Sequence, residues 1–517
     1  MENVVIRGGR IIDGSGSRGY QADIYIKNGM IADISEHIDA EDSRILEASG
    51  CVVAPGFIDS HAHSDTSFLS DDSCASKLSQ GITTEITGQC GSSPFPAKAT
   101  GDGKWESYNA FLRCFDANHH KMAVNQAILV GHGTLRAAVM GYEDRKPSLA
   151  ELSQMKALLE RELSMGAWGM SLGLEYSPGF FAGADELSEL SEIVRRYDGL
   201  VPCHMRNEGL KIDDAIDELV GIGQRSGARV HISHLKIDHF RAHGRVAQVW
   251  ERIERAKRSG VRISADLYPF TASCTDLTIR CPKWSQEGGS KNVVKHLKGQ
   301  RREEIVSHIR GHYFNRERAE TCLINDDAGL WPEIVGKTLR EIAEDLLNTT
   351  DYAEAAAEIL IRTGGQAGGI FFVMDEGDML YFLSQDVGIG SDGWALSGDP
   401  KRVKGKPHPR SYAAITEFFR LARERKICSL EAAVHRVTMK PAEMIGLTDR
   451  GLIRTGNAAD ITVFDPNTIA PESTYLEPVR LSKGIRHVLV NGEVALYEGV
   501  QTDVRSGRFL KKSFCRS

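Results

Sequence analysis

The chain has 517 residues, of which 41% are hydrophobic and 26% charged, the balance of a folded globular protein rather than a disordered one. Sixty-three Lys and Arg against 70 Asp and Glu leave a net charge of −7, which argues against nucleic acid or an anionic membrane as general partner. No run of about 18 apolar residues is present to span a bilayer, and ten cysteines without a CxxC spacing argue against a disulfide scaffold, a zinc ribbon and a thioredoxin-like site.

In chain order, residues 3–34 read as short strands broken by Gly-rich turns. The start, MENVVIRGGRIIDG, has neither the basic residues nor the apolar stretch of a secretory signal, so a reduced, cytoplasmic protein is expected. Eight β-like runs follow, at 52–59, 82–87, 126–130, 168–172, 200–204, 229–234, 262–268 and 387–391. Most neighbours are separated by helical composition. In IDDAIDELVGIGQRSG, Ile212, Ile216, Leu219 and Val220 recur at near-helical spacing, and Gly227 stands where a helix stops.

Strand and helix alternating at roughly 30-residue intervals mark βαβ units and a parallel sheet. Eight such units predict an α/β fold with a closed (β/α)8, TIM-like barrel, an open doubly wound sheet being the alternative. The interval of about 271–385 is too long for one connection and holds its own helical patterns, so it reads as an insertion. Near the C-terminus, ADITVFDP and IRHVLVNGEVALYEG return to β texture, with NG as a hairpin signal. The two ends are expected to join into one small β-domain, which divides the chain into 1–53, a barrel over 54–450, and 451–517. The basic SGRFLKKSFCRS at the end reads as a frayed tail.

The strongest chemical signal is APGFIDSHAHSD. His61 and His63 are two apart, so at the extended end of a strand they face the same way and form half a metal site. His204 closes LVPCHM, His234 lies in RVHISHLK, Cys90 follows ITTEITGQ and Asp392 follows VGIGS. In a barrel all these positions crowd the C-terminal rim, where barrel active sites sit. Three His with a Cys thiolate suit zinc, which takes N and S ligands. Any one of these residues alone has a bland reading: a free Cys is usually a small buried hydrophobe, and a lone Asp before Gly a turn residue. Together they read as one site. Asp392 serves as ligand, base or both, since a water activated by a metal still needs a base to take its proton.

His231 falls on the opposite face from His234 and reads as packing, as does Cys203, whereas His132 reads as a rim residue within reach of substrate. Lys236 shares the face of His234, Tyr268 ends ADLYP and Arg410 lies in PHPRSY. Cations at such a rim anchor a substrate carboxylate, Arg bidentately. The glycine run at 364–369 reads as a turn, and no GxxxxGK[ST], GxSxG or HExxH is present.

These motifs resemble the amidohydrolase superfamily and, more narrowly, the D-aminoacylase (N-acyl-D-amino-acid deacylase) family. The narrower likeness rests on GITTEITGQCGSSPFP, CHMRNEG, HISHLK, DLYPFTAS, IGSDG and PHPRSY in this order, with DRGLIRTGNAADITVFDP and VLVNG behind them, and it runs from about residue 3 to about 500. The resemblance implies a (β/α)8 barrel with a small β-sandwich built from both termini. It implies zinc held by Cys90, His204 and His234, with His61, His63 and Asp392 at a second, weaker metal position. It also implies Asp392 as acid/base, Lys236, Tyr268 and Arg410 on the substrate carboxylate, and hydrolysis of a small N-acyl-D-amino acid. Two departures stand out. The fourth strand runs into SLGLEYSPG, without the carboxylated Lys that bridges metals in many amidohydrolases, so Cys90 takes over that place ahead of Glu175. After PHPRSY the chain continues AAITEFFRLARE instead of turning. The rival activity is cyclic-amide hydrolysis, as in hydantoinases or dihydroorotases, which a bridging Lys would favour. Oligomeric state has no signature in the pattern.

Overall fold

The computed structural model describes residues 2–39, 42–97 and 104–513, and the fold is α/β. Its centre is parallel sheet. Phe57–Asp59, Ile82–Thr87 and Asn125–Ile128 lie side by side, and Val130–Gly131, Met170–Gly173, Leu200–His204, Arg229–Ile232, Ile263–Leu267 and Gly388–Ile389 follow one another in chain order. Leu129 N donates to Thr87 O at 2.9 Å and Val130 N to Gly169 O at 3.0 Å, so the chain passes from one set to the other without a gap. At the far end Asp392 N donates to His61 O at 2.8 Å and His63 N to Gly393 O at 2.9 Å, which brings the last segment back against the first.

These strands are buried along almost their whole length, covered on both faces, and the polar residues they carry, such as Glu85 in ITTEIT, are buried with them. Leu172, Val201, Ile232, Leu267 and Ile389 share one core with Leu159, Leu190, Leu219 and Ile253 from the intervening helices. Gly227 ends Ile212–Ser226 at a φ of 67°, as expected, and Ser148 and Glu151 form a reciprocal cap on Leu149–Ser164.

The run at 52–59 is not one strand. Val52–Pro55 pairs with Ile461–Phe464 and Arg10–Ile11 in a seven-stranded sheet, whereas Phe57–Asp59 turns away to pair with Ile82–Thr87. Gly56 is the crossing point. A Cβ there would stand 2.2 Å from Thr83 Oγ1, so the chain changes sheets where only glycine fits. The seven-stranded sheet draws strands from both chain ends. Its Val53, Ile461 and Leu489 pack in one core with Ile6, Ile24 and Leu46 of a four-stranded sheet formed by residues within 4–47.

Two further readings are corrected. The basic tail is not frayed over its described part: Phe509–Leu510 adds as a parallel strand beside Asn125–Ile128, and Trp168 Nε1 donates to Leu510 O at 2.6 Å. Residues 514–517 lie outside the described residues. The glycine run at 364–369 is only half a turn. Gly364 and Gly365 turn at positive φ, but Gly368 and Gly369 begin the strand Gly368–Phe371. That strand is central in a three-stranded antiparallel sheet with Ser273–Asp276 and Cys322–Asp326. Together with helices such as Arg302–Arg310 and Tyr352–Arg362 it builds a core of its own within the interval read as an insertion.

Candidate metal centre and active site

His61, Cys90, His204, His234 and Asp392 all stand at or just beyond the C-terminal ends of the parallel strands. Cys90, His234 and Asp392 take φ values of 52°, 40° and 49°. Left-handed backbone is uncommon for residues with a Cβ and costs of order 1 kcal/mol or more each. Here it turns three chains sharply at their strand ends and aims three reactive side chains at one point.

At that point Cys90 Sγ lies 3.3 Å from His61 Nε2, 3.4 Å from His234 Nε2 and 3.9 Å from His204 Nδ1. His204 Nδ1 and His234 Nε2 are 3.0 Å apart. Asp392 Oδ1 is 2.9 Å from His63 Nε2 and 3.5 Å from His61 Nε2. Two donor groups share the thiol: Cys90 with His204 and His234, and Cys90 with His61, His63 and Asp392. Imidazole and thiol donors converging at such distances fit a tetrahedral, borderline-soft ion, which is the chemistry of zinc.

Burial pushes the His61 and His234 rings well below their usual range and the Cys90 thiol well above its own. The imidazoles are therefore neutral and free to ligate, and a cation at the site would be needed to hold Cys90 as thiolate. Burial alone would raise the Asp392 carboxyl. The Arg410 guanidinium beside it outweighs burial and holds the group well below the usual carboxylate range.

The three residues expected on a substrate carboxylate are grouped but not alike. Arg410 Nη1 is 2.8 Å from Asp392 Oδ2, and its guanidinium lies 4.9 Å from the centre of the Tyr268 ring. The Tyr268 hydroxyl is buried without a hydrogen-bond partner among the described residues. Lys236 Nζ sits 5.8 Å from the centre of that ring and pairs with Glu208 at 2.5 Å. His63, Cys90, His234, Asp392 and Arg410 open onto a cavity of about 480 Å³, also lined by Tyr142, Asp276 and Tyr176, whose ring lies 4.5 Å from that of His204.

His132 does not reach that cavity. It is fully buried at the start of its helix with Nε2 2.9 Å from Glu186, a packing role. His231 packs as expected, against Ser264 and Asp266. Glu175 stays out of the Cys90 cluster and lies behind His204, 3.0 Å from Nε2, with its carboxyl pushed by burial to about 7.

Three supporting residues escaped the sequence reading. Asp266 accepts from His234 N at 2.6 Å and from Ser60 Oγ at 2.7 Å, fixing two strand ends. Glu208 lies behind His234, 3.1 Å from Nδ1. Lys77, wholly buried, reaches Asp59 at 2.8 Å, Glu85 at 3.1 Å and Ser391 Oγ at 2.8 Å. A carboxylate inside the apolar ADLYP strand was a usable signal for Asp266, since such a group must be paired. CHMRNEG placed Glu208 four residues after a strand-end His. Nothing local marked Lys77.

Residues 44–276 and 390–496 match the Amidohydrolase family, Amidohydro_3. The chain belongs to the amidohydrolase family, in its D-aminoacylase branch. It is 34% identical to an N-acyl-D-glutamate deacylase of Alcaligenes xylosoxydans xylosoxydans, over 99% of this chain and 96% of that one. A D-aminoacylase of the same organism is 32% identical over 99% of this chain and 98% of the other. Among solved structures, N-acyl-D-glutamate deacylase from Bordetella bronchiseptica, complexed with zinc and a phosphonate mimic of the tetrahedral intermediate, superposes with a TM-score of 0.83 at 32% identity. It covers 98% of this amidohydrolase and 99% of its own chain.

Proposed function

We propose that this amidohydrolase hydrolyses the amide bond of N-acyl-D-amino acids, releasing a carboxylate and a free D-amino acid. The observation that carries the reading is the Cys90–His204–His234 donor set standing beside an Asp392 that Arg410 keeps ionised, with Cys90, His234, Asp392 and Arg410 lining one cavity. The D configuration comes from the relatives' activities.

Cys90 Sγ, His204 Nδ1 and His234 Nε2 would hold one zinc tightly, and His61, His63 and Asp392 a second, weaker ion that shares Cys90. Zinc, when bound, supplies Lewis-acid polarisation of the scissile carbonyl and lowers the pKa of the attacking water. Asp392 takes that water's proton as the oxygen adds to the amide carbon, then hands it to the amide nitrogen as the C–N bond breaks. Arg410 and the free Tyr268 hydroxyl, with Lys236 behind them, hold the substrate's α-carboxylate, so orientation supplies much of the rate.

In the same reading the parallel strands, with Asn125–Ile128 and Val130–Gly131 forming one staggered strand, are one closed (β/α)8 barrel over 54–450, elaborated at about 271–385. The chain ends, 1–53 and 451–517, form a β-sandwich beside it. The return of Asp392 to His61 and the shared core of the terminal sheets support this. Among the described residues no helix is long and apolar enough to cross a membrane. The nine described cysteines are free, which fits a reducing cytoplasm. Cyclic-amide hydrolysis loses ground because Cys90, and no Lys, is common to both donor groups, whereas that chemistry would use a bridging carboxylated Lys.

Replacing Asp392 by Asn tests the role of the carboxylate. Turnover of an N-acetyl-D-amino acid should fall by at least about 10²-fold while zinc stays bound. Retained turnover would refute the assignment.

A further inference from the structure

Glu208 is 2% exposed and stands among three residues of the proposed site: His234, Lys236 and His204, whose Nε2 is 3.9 Å from its Oε2. Its Oε1 is 3.1 Å from His234 Nδ1 and its Oε2 2.5 Å from Lys236 Nζ. Lys236 Nζ also lies 2.9 Å from the same His234 Nδ1 and 3.3 Å from His234 O. These contacts compete. A neutral imidazole carries one ring proton, so Nδ1 either donates to Glu208 or accepts from Lys236.

The metal decides which. His234 Nε2 faces Cys90 Sγ at 3.4 Å and His204 Nδ1 at 3.0 Å, so it is the nitrogen that must be bare to ligate. The ring proton then belongs on Nδ1, where a carboxylate oxygen is the acceptor that favours it. With Nδ1 donating, the ring offers no acceptor to Lys236. Its ammonium spends one hydrogen on Glu208 Oε2 and one on His234 O, which leaves the third for a substrate carboxylate.

We propose that Glu208 is a positioning residue that fixes the His234 tautomer and the Lys236 ammonium together, coupling metal affinity to recognition of the substrate carboxylate. The inference rests on the deacylase reading for its substrate half only. Glutamine at 208 would remove the charge facing Lys236 and offer an N–H that can donate to Nδ1, which favours the wrong tautomer.

The test uses the full-length chain and its Glu208→Gln, Glu208→Asp and Lys236→Met variants, each checked by thermal unfolding. Zinc affinity is measured by chelator competition, and KM and kcat with N-acetyl-D-amino acids. Glu208→Gln should weaken zinc by about tenfold or more and raise KM by about tenfold or more. Lys236→Met should raise KM but leave zinc affinity unchanged, and combining Glu208→Gln with Lys236→Met should add little further to KM. Glu208→Asp keeps the charge and should bind zinc more tightly than the Gln form. If Glu208→Gln does not fold, the Asp form is compared with wild type: it should raise KM by more than it weakens zinc. Wild-type zinc affinity in Glu208→Gln, equal loss of zinc in Lys236→Met, or equal zinc affinity in the Gln and Asp forms would each overturn the proposal. If the wild type hydrolyses no N-acyl-D-amino acid, the deacylase reading fails by itself, and the zinc measurements still decide whether Glu208 holds His234.

Discussion

Replacing Lys77 by Met probes how the strand ends beneath the active site are held together. The ammonium is wholly buried, 2.8 Å from Asp59, 3.1 Å from Glu85 and 2.8 Å from Ser391 Oγ. Asp59 in turn accepts from Ser391 N at 2.7 Å and Ser391 Oγ at 2.6 Å, one residue before Asp392. Met fills nearly the same volume as Lys, so packing changes little. What remains is two carboxylates in a dry interior without their counter-charge, a loss of about 3–5 kcal/mol for a broken buried ion pair.

Denaturation midpoints, compared at equal slope, read that loss. It should depend on pH. Burial already holds the Glu85 carboxyl above its usual range, and Lys77 is the largest influence pulling it down. Without Lys77 the folded-state value rises further above the unfolded one. The variant is then least stable above that raised value and regains stability as the pH falls through it, because the folded state takes up the proton first. Adding Glu85→Gln to Lys77→Met should restore part of the loss at neutral pH. A Lys77→Met protein within about 1 kcal/mol of wild type at neutral pH would refute the reasoning.

Two other outcomes follow from the geometry. Cys90→Ala should lower the zinc content of protein purified with metal, because it removes the donor common to both groups; unchanged zinc by elemental analysis would refute ligation. Truncation after residue 505 should lower the melting temperature. It removes a strand beside Asn125–Ile128 and the buried Leu510, whose burial contributes about 1.5–3 kcal/mol; an unchanged melting temperature would restore the frayed-tail reading.

The parts legible in the sequence were those written in local pattern. Eight β-like runs with helical composition between them marked the parallel strands, because a strand covered on both faces is rich in apolar residues and the few charges it carries, such as Glu85 and Asp266, must be paired. That His61, His63, Cys90, His204, His234 and Asp392 would gather at one place was legible because strand ends are visible as a change from apolar to polar residues, and a parallel sheet brings those ends together. The switch of sheets at Gly56 was not, since one continuous apolar run serves two sheets equally well and only the approach of Thr83 breaks it. The tail was misread because its pairing partner, Asn125–Ile128, lies far off in sequence and a short basic segment has no strand signature of its own. His132 illustrates the opposite error. It stands after an apolar strand like the ligands, yet a helix starts at the residue itself and Glu186 captures the ring. Lys77, Asp266 and Glu208 matter through partners tens to hundreds of residues away, which no spacing rule encodes.

The most direct test of the central claim is a chiral amino-acid readout after incubating zinc-loaded protein with a panel of racemic N-acetyl amino acids. The deacylase account predicts release of D-amino acids alone, and the side chain released fastest would show what the cavity beside Tyr176 and Asp276 accepts. Release of L-amino acids, or of none from protein whose zinc content has been verified, would contradict it.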